Sequence, residues 1–387
     1  VGPGQISACQ FIFLGCRNRQ RLRHTGMFFR GLILIAALVG CGCQPTRFYT
    51  QAIGGQWEII SRRETVTKII REEPPTSQLR SQLELVQQLR AFAATNLALP
   101  ASRQYEAYVD LKRPYVVWNV EATPEFSFES KSWWYPFVGR LEYQGYFRKE
   151  LAVDYAAKLR ADGLDVFIGG VDAYSTLGWF NDPVLNTFVY LPEAELAELL
   201  FHELAHQELF IAGDTDFNEA FATSVGREGV RRWFAAKHDQ EALAHFLKSR
   251  TRDDRVVELI LGKRGQLERL YDSTEEMSAP TMRARKLEII ESLRAEYAVL
   301  KKSWPGYVEY DGFMAAPINN ALLNAVDTYY DLVPDFETMI ANANGDLPEF
   351  YTRIRRTKKM DKQERRAFLN QGVEFAASHT ELLAENP

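Results

Sequence analysis

Two histidines four residues apart, with a glutamate beside the first, stand out chemically in His202-Glu203-Leu204-Ala205-His206. On a helix this spacing puts both imidazoles on one face, one turn apart, where they can reach a single metal ion. Glu203 then lies near enough to take a proton from a water that the metal activates, the part of a general base in hydrolysis. A catalytic zinc keeps three protein ligands and one open position, so a third donor is needed. All four cysteines, Cys9, Cys16, Cys41 and Cys43, fall in the first 43 residues, and the chain has six histidines: His24, His202, His206, His238, His245 and His379. Any metal in the body of the chain must therefore be held by His, Asp and Glu. Glu219 is the candidate third ligand, with Asp214 and Asp216 in reserve. Asp216 followed by Glu219 is also a capping-box pattern, in which the carboxylate would serve its own helix end. The expectation is one zinc ion on His202, His206 and Glu219, with Glu203 catalytic.

The elements that must position these residues are two helices. The first, Glu193–Ile211, begins after Pro192 with Glu193, Glu195 and Glu198 at its positive end and stops before Gly213. Its stripe of Leu199, Leu200, Leu209 and Phe210 continues through both histidines and points them into the core. The short turn 212–215 folds a second helix, Phe217–Lys237, back on the first and brings Glu219 to the metal. Upstream, a helix is expected at Ser77–Leu97, strands in Tyr115–Val120 and Glu125–Ser130, a helix at Arg148–Ala161, and a strand at Leu164–Ile168 ended by Gly169-Gly170. Residues 171–183 read as strand and loop. Downstream, the periodicity predicts helices at Glu241–Lys248, Arg255–Tyr271, Pro280–Lys302, Ile318–Leu332 and Lys362–Ser378. The fold class is α+β and mainly helical, with a small mixed sheet upstream of the active-site helix and a helical C-terminal region.

With 387 residues, 46 Lys+Arg against 51 Asp+Glu and a formal charge of −5, the chain is a folded globular protein with no electrostatic reason to bind nucleic acid. Residues 27–40 run from a basic start, Met27-Phe-Phe-Arg30, through an apolar stretch to Leu38-Val39-Gly40-Cys41. That stretch is too short to span a bilayer, which takes about 20 apolar residues. The order of features resembles a bacterial lipoprotein signal, and the resemblance implies cleavage before Cys41 and lipidation of its thiol. It places the protein in the bacterial cell envelope, anchored to a membrane by lipid, with the catalytic domain facing the periplasm. Residues 1–26 begin with Val and carry a basic, non-periodic run, so they read as an over-extended start with Met27 as the true one. Residues 41–76, with Pro74-Pro75, read as a polar linker. Residues 77–387 are expected to form one domain around the metal motif, with the metal-site helices at 193–237 and the helical region at 238–387.

Asn218-Glu219 after the His202–His206 motif resembles the gluzincin class of zinc peptidases, whose second helix supplies a Glu ligand from an N-E pair. A closer similarity, over Gly169–Phe180, Phe201–Gln207, Asp214–Ala222 and Ile318–Ala321, is to a bacterial family of predicted zinc aminopeptidases of lipoprotein type. It covers about residues 44–387 and implies a zincin-like fold and a peptide substrate. Zincins often bind the substrate backbone on an edge strand, which makes Tyr174, Ser175 and Thr176 substrate-binding candidates. Peptidases of this kind also draw an oxyanion donor from a later helix, here Asn319, Asn320, Tyr329 or Tyr330. An aminopeptidase must hold a free amino terminus, for which Asp172 and Asp182 could serve. The alternatives are a zinc endopeptidase, or a non-enzymatic zinc-containing lipoprotein acting as a binding or assembly module.

Overall fold

Ser77 accepts a hydrogen bond from the Arg80 amide and opens a helix whose Leu83, Val86, Leu89, Phe92 and Ala93 are buried, as the spacing at three and four residues predicts. In this computed structural model, which describes residues 44–101, 103–135, 139–173, 181–273 and 277–370, that helix is the third among the described residues. Before it come α1 (Gln44–Ser61), β1 (Glu64–Thr65) and α2 (Val66–Glu72), with α3 being Gln78–Asn96. The stretch expected to be a polar linker is thus largely helical and packed. Phe48, Ala52, Ile59, Val66 and Ile69 are buried, Gln56 with them, while polar residues such as Thr50, Ser61 and Glu64, which suggested a connector, lie on outward faces.

Next come β2 (Ala107–Val109), β3 (Val117–Pro124), the hairpin β4 (Trp133–Tyr135) and β5 (Gly139–Leu141), β6 (Tyr143–Tyr146), α4 (Lys149–Ala161), β7 (Leu164–Val171) and β8 (Val184–Leu185). The main sheet has the order β6-β3-β7 and is antiparallel throughout; a second, β1-β2-β8, is mixed. Gly169 and Gly170 do not end β7, because they stay in register opposite Asn119 and Trp118. Glu125–Ser130, expected as a strand, is not one. Its neighbourhood is bonded to side chains instead: Asn320 Nδ2 donates to the carbonyls of Pro124, Glu125 and Ser127, and Asn324 Nδ2 to that of Phe128.

The remainder is helical: α5 (Glu193–Glu208), α6 (Thr215–Ala236), α7 (Gln240–Tyr271), α8 (Ala279–Lys301), α9 (Asp311–Ala315), α10 (Asn320–Tyr330), α11 (Val333–Asn342), α12 (Leu347–Ile354) and residues 362–370. The two helices expected at 241–248 and 255–271 are one, since Arg250 and Asp253 in the polar stretch between them form an ion pair at 2.8 Å within the helix. One face of the main sheet packs Trp118, Val120, Ala122 and Val166 against Ala152, Ala156 and Leu159 of α4. Contacts of α10 with β3 and β7 tie the sheet to the helical region. The largest core gathers α3, α5, α6, α11 and α12, while α7 to α10 share a separate one. The architecture is α+β and mainly helical, as expected. Among the described residues, no helix is long and apolar enough to cross a membrane.

Candidate metal centre

The site is built on the contact between α5 and α6. Along α6, Glu219, Thr223 and Gly226 follow one another at four and three residues and share the face turned to α5. Gly226 is required there: a Cβ on it would stand 2.9 Å from the backbone oxygen of Glu198, so a larger residue would push the helices apart. The turn between them is fixed by Asn218, whose Oδ1 accepts from the Ile211 amide and whose Nδ2 donates to the Ile211 carbonyl, both at 2.8 Å. That clamp explains why α5 stops at Glu208 rather than at Ile211, with Leu209 already extended. Gly213, at φ +79°, completes the reversal.

His202, His206 and Glu219 come together in the core. His202 is 6 % exposed, and His206 and Glu219 are each 1 % exposed. The Nε2 atoms of the two imidazoles are 3.1 Å apart, and Glu219 Oε2 lies 3.3 Å from that of His202 and 3.6 Å from that of His206. A tetrahedral zinc with ligands at about 2.0–2.1 Å keeps neighbouring donors about 3.3 Å apart, so the three spacings suit one ion. Glu219 Oε2 is also buried without a hydrogen bond, and an acceptor left so is explained by a cation among these groups. The triad could therefore hold a metal ion.

The electrostatics follow from the packing. Burial raises the Glu219 carboxyl, but the charges of His206 and His202 outweigh it and lower it to about 2. For His202, burial opposes protonation, while Glu219, then Glu203 and Glu198, lift its pKa above the ordinary value. The second ring nitrogen of His202 meets Thr223 Oγ1 at 3.5 Å. One turn earlier on α5, buried Glu198 faces Arg250 at 3.5 Å and Arg227 at 4.0 Å, and it is held below the usual carboxylate range despite burial, Arg250 contributing most. Thr223, Gly226, the Asn218 clamp and the Glu198 pair were not foreseen. Only the small-residue periodicity of α6 could have signalled the first two.

The other candidates separate clearly. Asp214 Oδ2 accepts from Arg365 at 2.6 Å, and Asp216 Oδ2 accepts from Lys362 and Arg366 at 3.0 Å each, so both spare ligands are engaged by the helix at 362–370. The helix begins at Thr215 with Asp214 as its cap residue, which puts Glu219 beyond the first turn and rules out the capping box. Glu203 is 1 % exposed and acts electrostatically on His202. Asn319 caps α10 and donates to the Val166 carbonyl, and Asn320 is bonded to three carbonyls and to the Tyr271 hydroxyl, so neither is available as an oxyanion donor. Tyr329 is half-buried, and the ring of Tyr330 lies 5.7 Å from the Arg227 guanidinium. Asp172 and Asp182 are both buried and flank residues 174–180. Tyr174, Ser175, Thr176 and Cys41 lie outside the described residues.

No curated protein and no solved structure matches the chain. A family model described as "Putative aminopeptidase" matches residues 47–369, which takes in all but the first three residues of α1, every element from β1 to α12 and the whole candidate metal centre. Through this match a peptidase-like function is supported at a coarse level, and the chain belongs to that aminopeptidase family.

Proposed function

We infer that the protein is a zinc-dependent peptidase of zincin-like fold, acting as an aminopeptidase. The observation that carries this reading is the convergence of two imidazole Nε2 atoms and one carboxylate oxygen at 3.1, 3.3 and 3.6 Å, where α5, which also bears Glu203, meets α6. When bound, zinc supplies a Lewis acid for the scissile carbonyl and makes water a nucleophile near neutral pH. His202, His206 and Glu219 would hold the ion. Glu203 would take the proton from the attacking water and return it to the leaving amine, since one carboxylate can do both in turn. The buried surroundings strengthen every charge interaction in the site. Exopeptidase action rests on the family match, with Asp172 and Asp182 as the residues that would receive the substrate's amino terminus. Lipidation at Cys41 would tether the domain to an envelope membrane, on its periplasmic side.

The test is digestion of a mixed peptide library by the purified protein, before and after removal of metal by a chelator and after zinc is restored. Loss of N-terminal residues that stops on chelation and returns with zinc is expected. Internal cuts would make the enzyme an endopeptidase. No cleavage under any condition, with zinc bound, would favour a binding or assembly module.

A further inference from the structure

The first described helix has two apolar faces, and the protein covers one. Phe48, Ala52 and Ile59 are buried, Phe48 in edge-on contact with Tyr146, and Gln51 fixes the helix to the sheet by accepting from the Phe147 amide at 2.9 Å. Tyr49, Ile53 and Trp57 follow at four-residue intervals, which puts them in one line along the helix. They are 40, 43 and 67 % exposed, with half-buried Ile60 beside them. Thr50, Gly54 and Ser61, further round the helix, are exposed without being apolar. Scattered exposed apolar residues need no explanation; a line of three including Trp and Tyr does.

What covers the line is indicated by where the chain comes from. Gln44, the first residue of α1, is three residues after Cys41, so the helix starts within about 10 Å of extended chain from the proposed point of lipid attachment. Trp and Tyr are the residues that settle at the boundary between acyl chains and headgroups, because each joins an apolar ring to a polar tip. A helix with an apolar stripe and a polar remainder lies in that plane. We propose that Tyr49, Ile53 and Trp57 form a membrane-seating surface, on which α1 rests in the phospholipid interface and fixes the orientation of the peptidase domain. This rests on the lipid anchor at Cys41, not on the peptidase reading.

Because residues 44–387 contain no cysteine, a single reporter can be introduced cleanly. In the full chain, with Cys9, Cys16 and Cys43 changed to serine, Ile53→Cys places an environment-sensitive dye on the stripe. Gly54→Cys places it round the helix, where nothing lies within 4 Å of the new Cβ. Each is reconstituted with vesicles of phosphatidylethanolamine and phosphatidylglycerol carrying bromine on the acyl chains. Quenching several-fold stronger at 53 than at 54 is expected, and the double substitution Tyr49→Gln with Trp57→Gln should reduce it. Equal or absent quenching overturns the proposal whether or not the protein floats with the vesicles. Mass analysis of Cys41 in the same sample reads the anchor separately: lipid present without quenching leaves the anchor and removes the surface. A dye at 53 shielded from aqueous iodide without lipid, in a particle of twice the mass, would show a second copy on the stripe and equally overturn it.

Discussion

Glu203 and Glu219 sit on neighbouring helices with different tasks, and conservative changes separate them. Glu203→Gln keeps the shape and removes the base, so metal content and Tm should stay near wild type while peptide hydrolysis falls by roughly 10²–10⁴-fold. Full activity in that variant would remove Glu203 from the mechanism. Glu219→Gln trades an anionic ligand for a neutral one and should lower metal affinity, with added zinc restoring part of the activity. Asp172 gives a pH signature. Burial raises its pKa from 3.8 to about 7, so the folded protein keeps a proton there that the unfolded chain has released. Stability therefore falls as pH rises from about 4 to about 7, and Asp172→Asn, which cannot ionise, should gain in Tm over wild type across that window. A difference that does not change with pH would contradict the burial. At this scale the sequence was most legible: His202, Glu203 and His206 declare themselves by spacing alone. Glu219 was ambiguous because Asp216 offered it a local partner, and only the start of α6 at Thr215 decides between them.

At the level of elements, the site depends on the α5 to α6 turn more than on either helix. Asn218 closes it with two buried hydrogen bonds to one residue. Asn218→Ala leaves both Ile211 groups without that partner, at a cost of about 1–3 kcal/mol each where water cannot replace it. A lower Tm together with weaker metal binding is expected, measured by melting and by competition with a chromophoric chelator; unchanged metal affinity would mean that Glu219 is positioned without the clamp. Elements with strong periodicity, such as α3 and α4, were readable to within a residue or two because buried positions recur on one face. The rest was hidden by long-range partners. Glu125–Ser130 has strand chemistry, yet its carbonyls are met by Asn320 and Asn324, nearly two hundred residues later. In α7 a polar middle looked like a break because Arg250 faces Glu198 and Asp253 accepts from the Tyr307 hydroxyl, partners that only the tertiary structure provides.

For the whole molecule, the segment after Cys41 changes the picture most. What reads as a spacer is α1, β1 and α2, packed on the same cores as the rest, so a domain anchored at Cys41 would stand close to the membrane rather than at the end of a tether. Mass spectrometry of the membrane-extracted protein should find diacylglyceryl on Cys41 and no peptide from residues 27–40; an unmodified Cys41 in a soluble fraction would contradict the anchor. The most direct test of the account is the zinc content of the purified protein after exposure to excess zinc and removal of loosely held ion. One equivalent per chain is predicted for the wild type, and essentially none for His202→Ala combined with His206→Ala. Stoichiometric zinc in that double variant, or none in the wild type, would contradict the assignment of the centre to His202, His206 and Glu219.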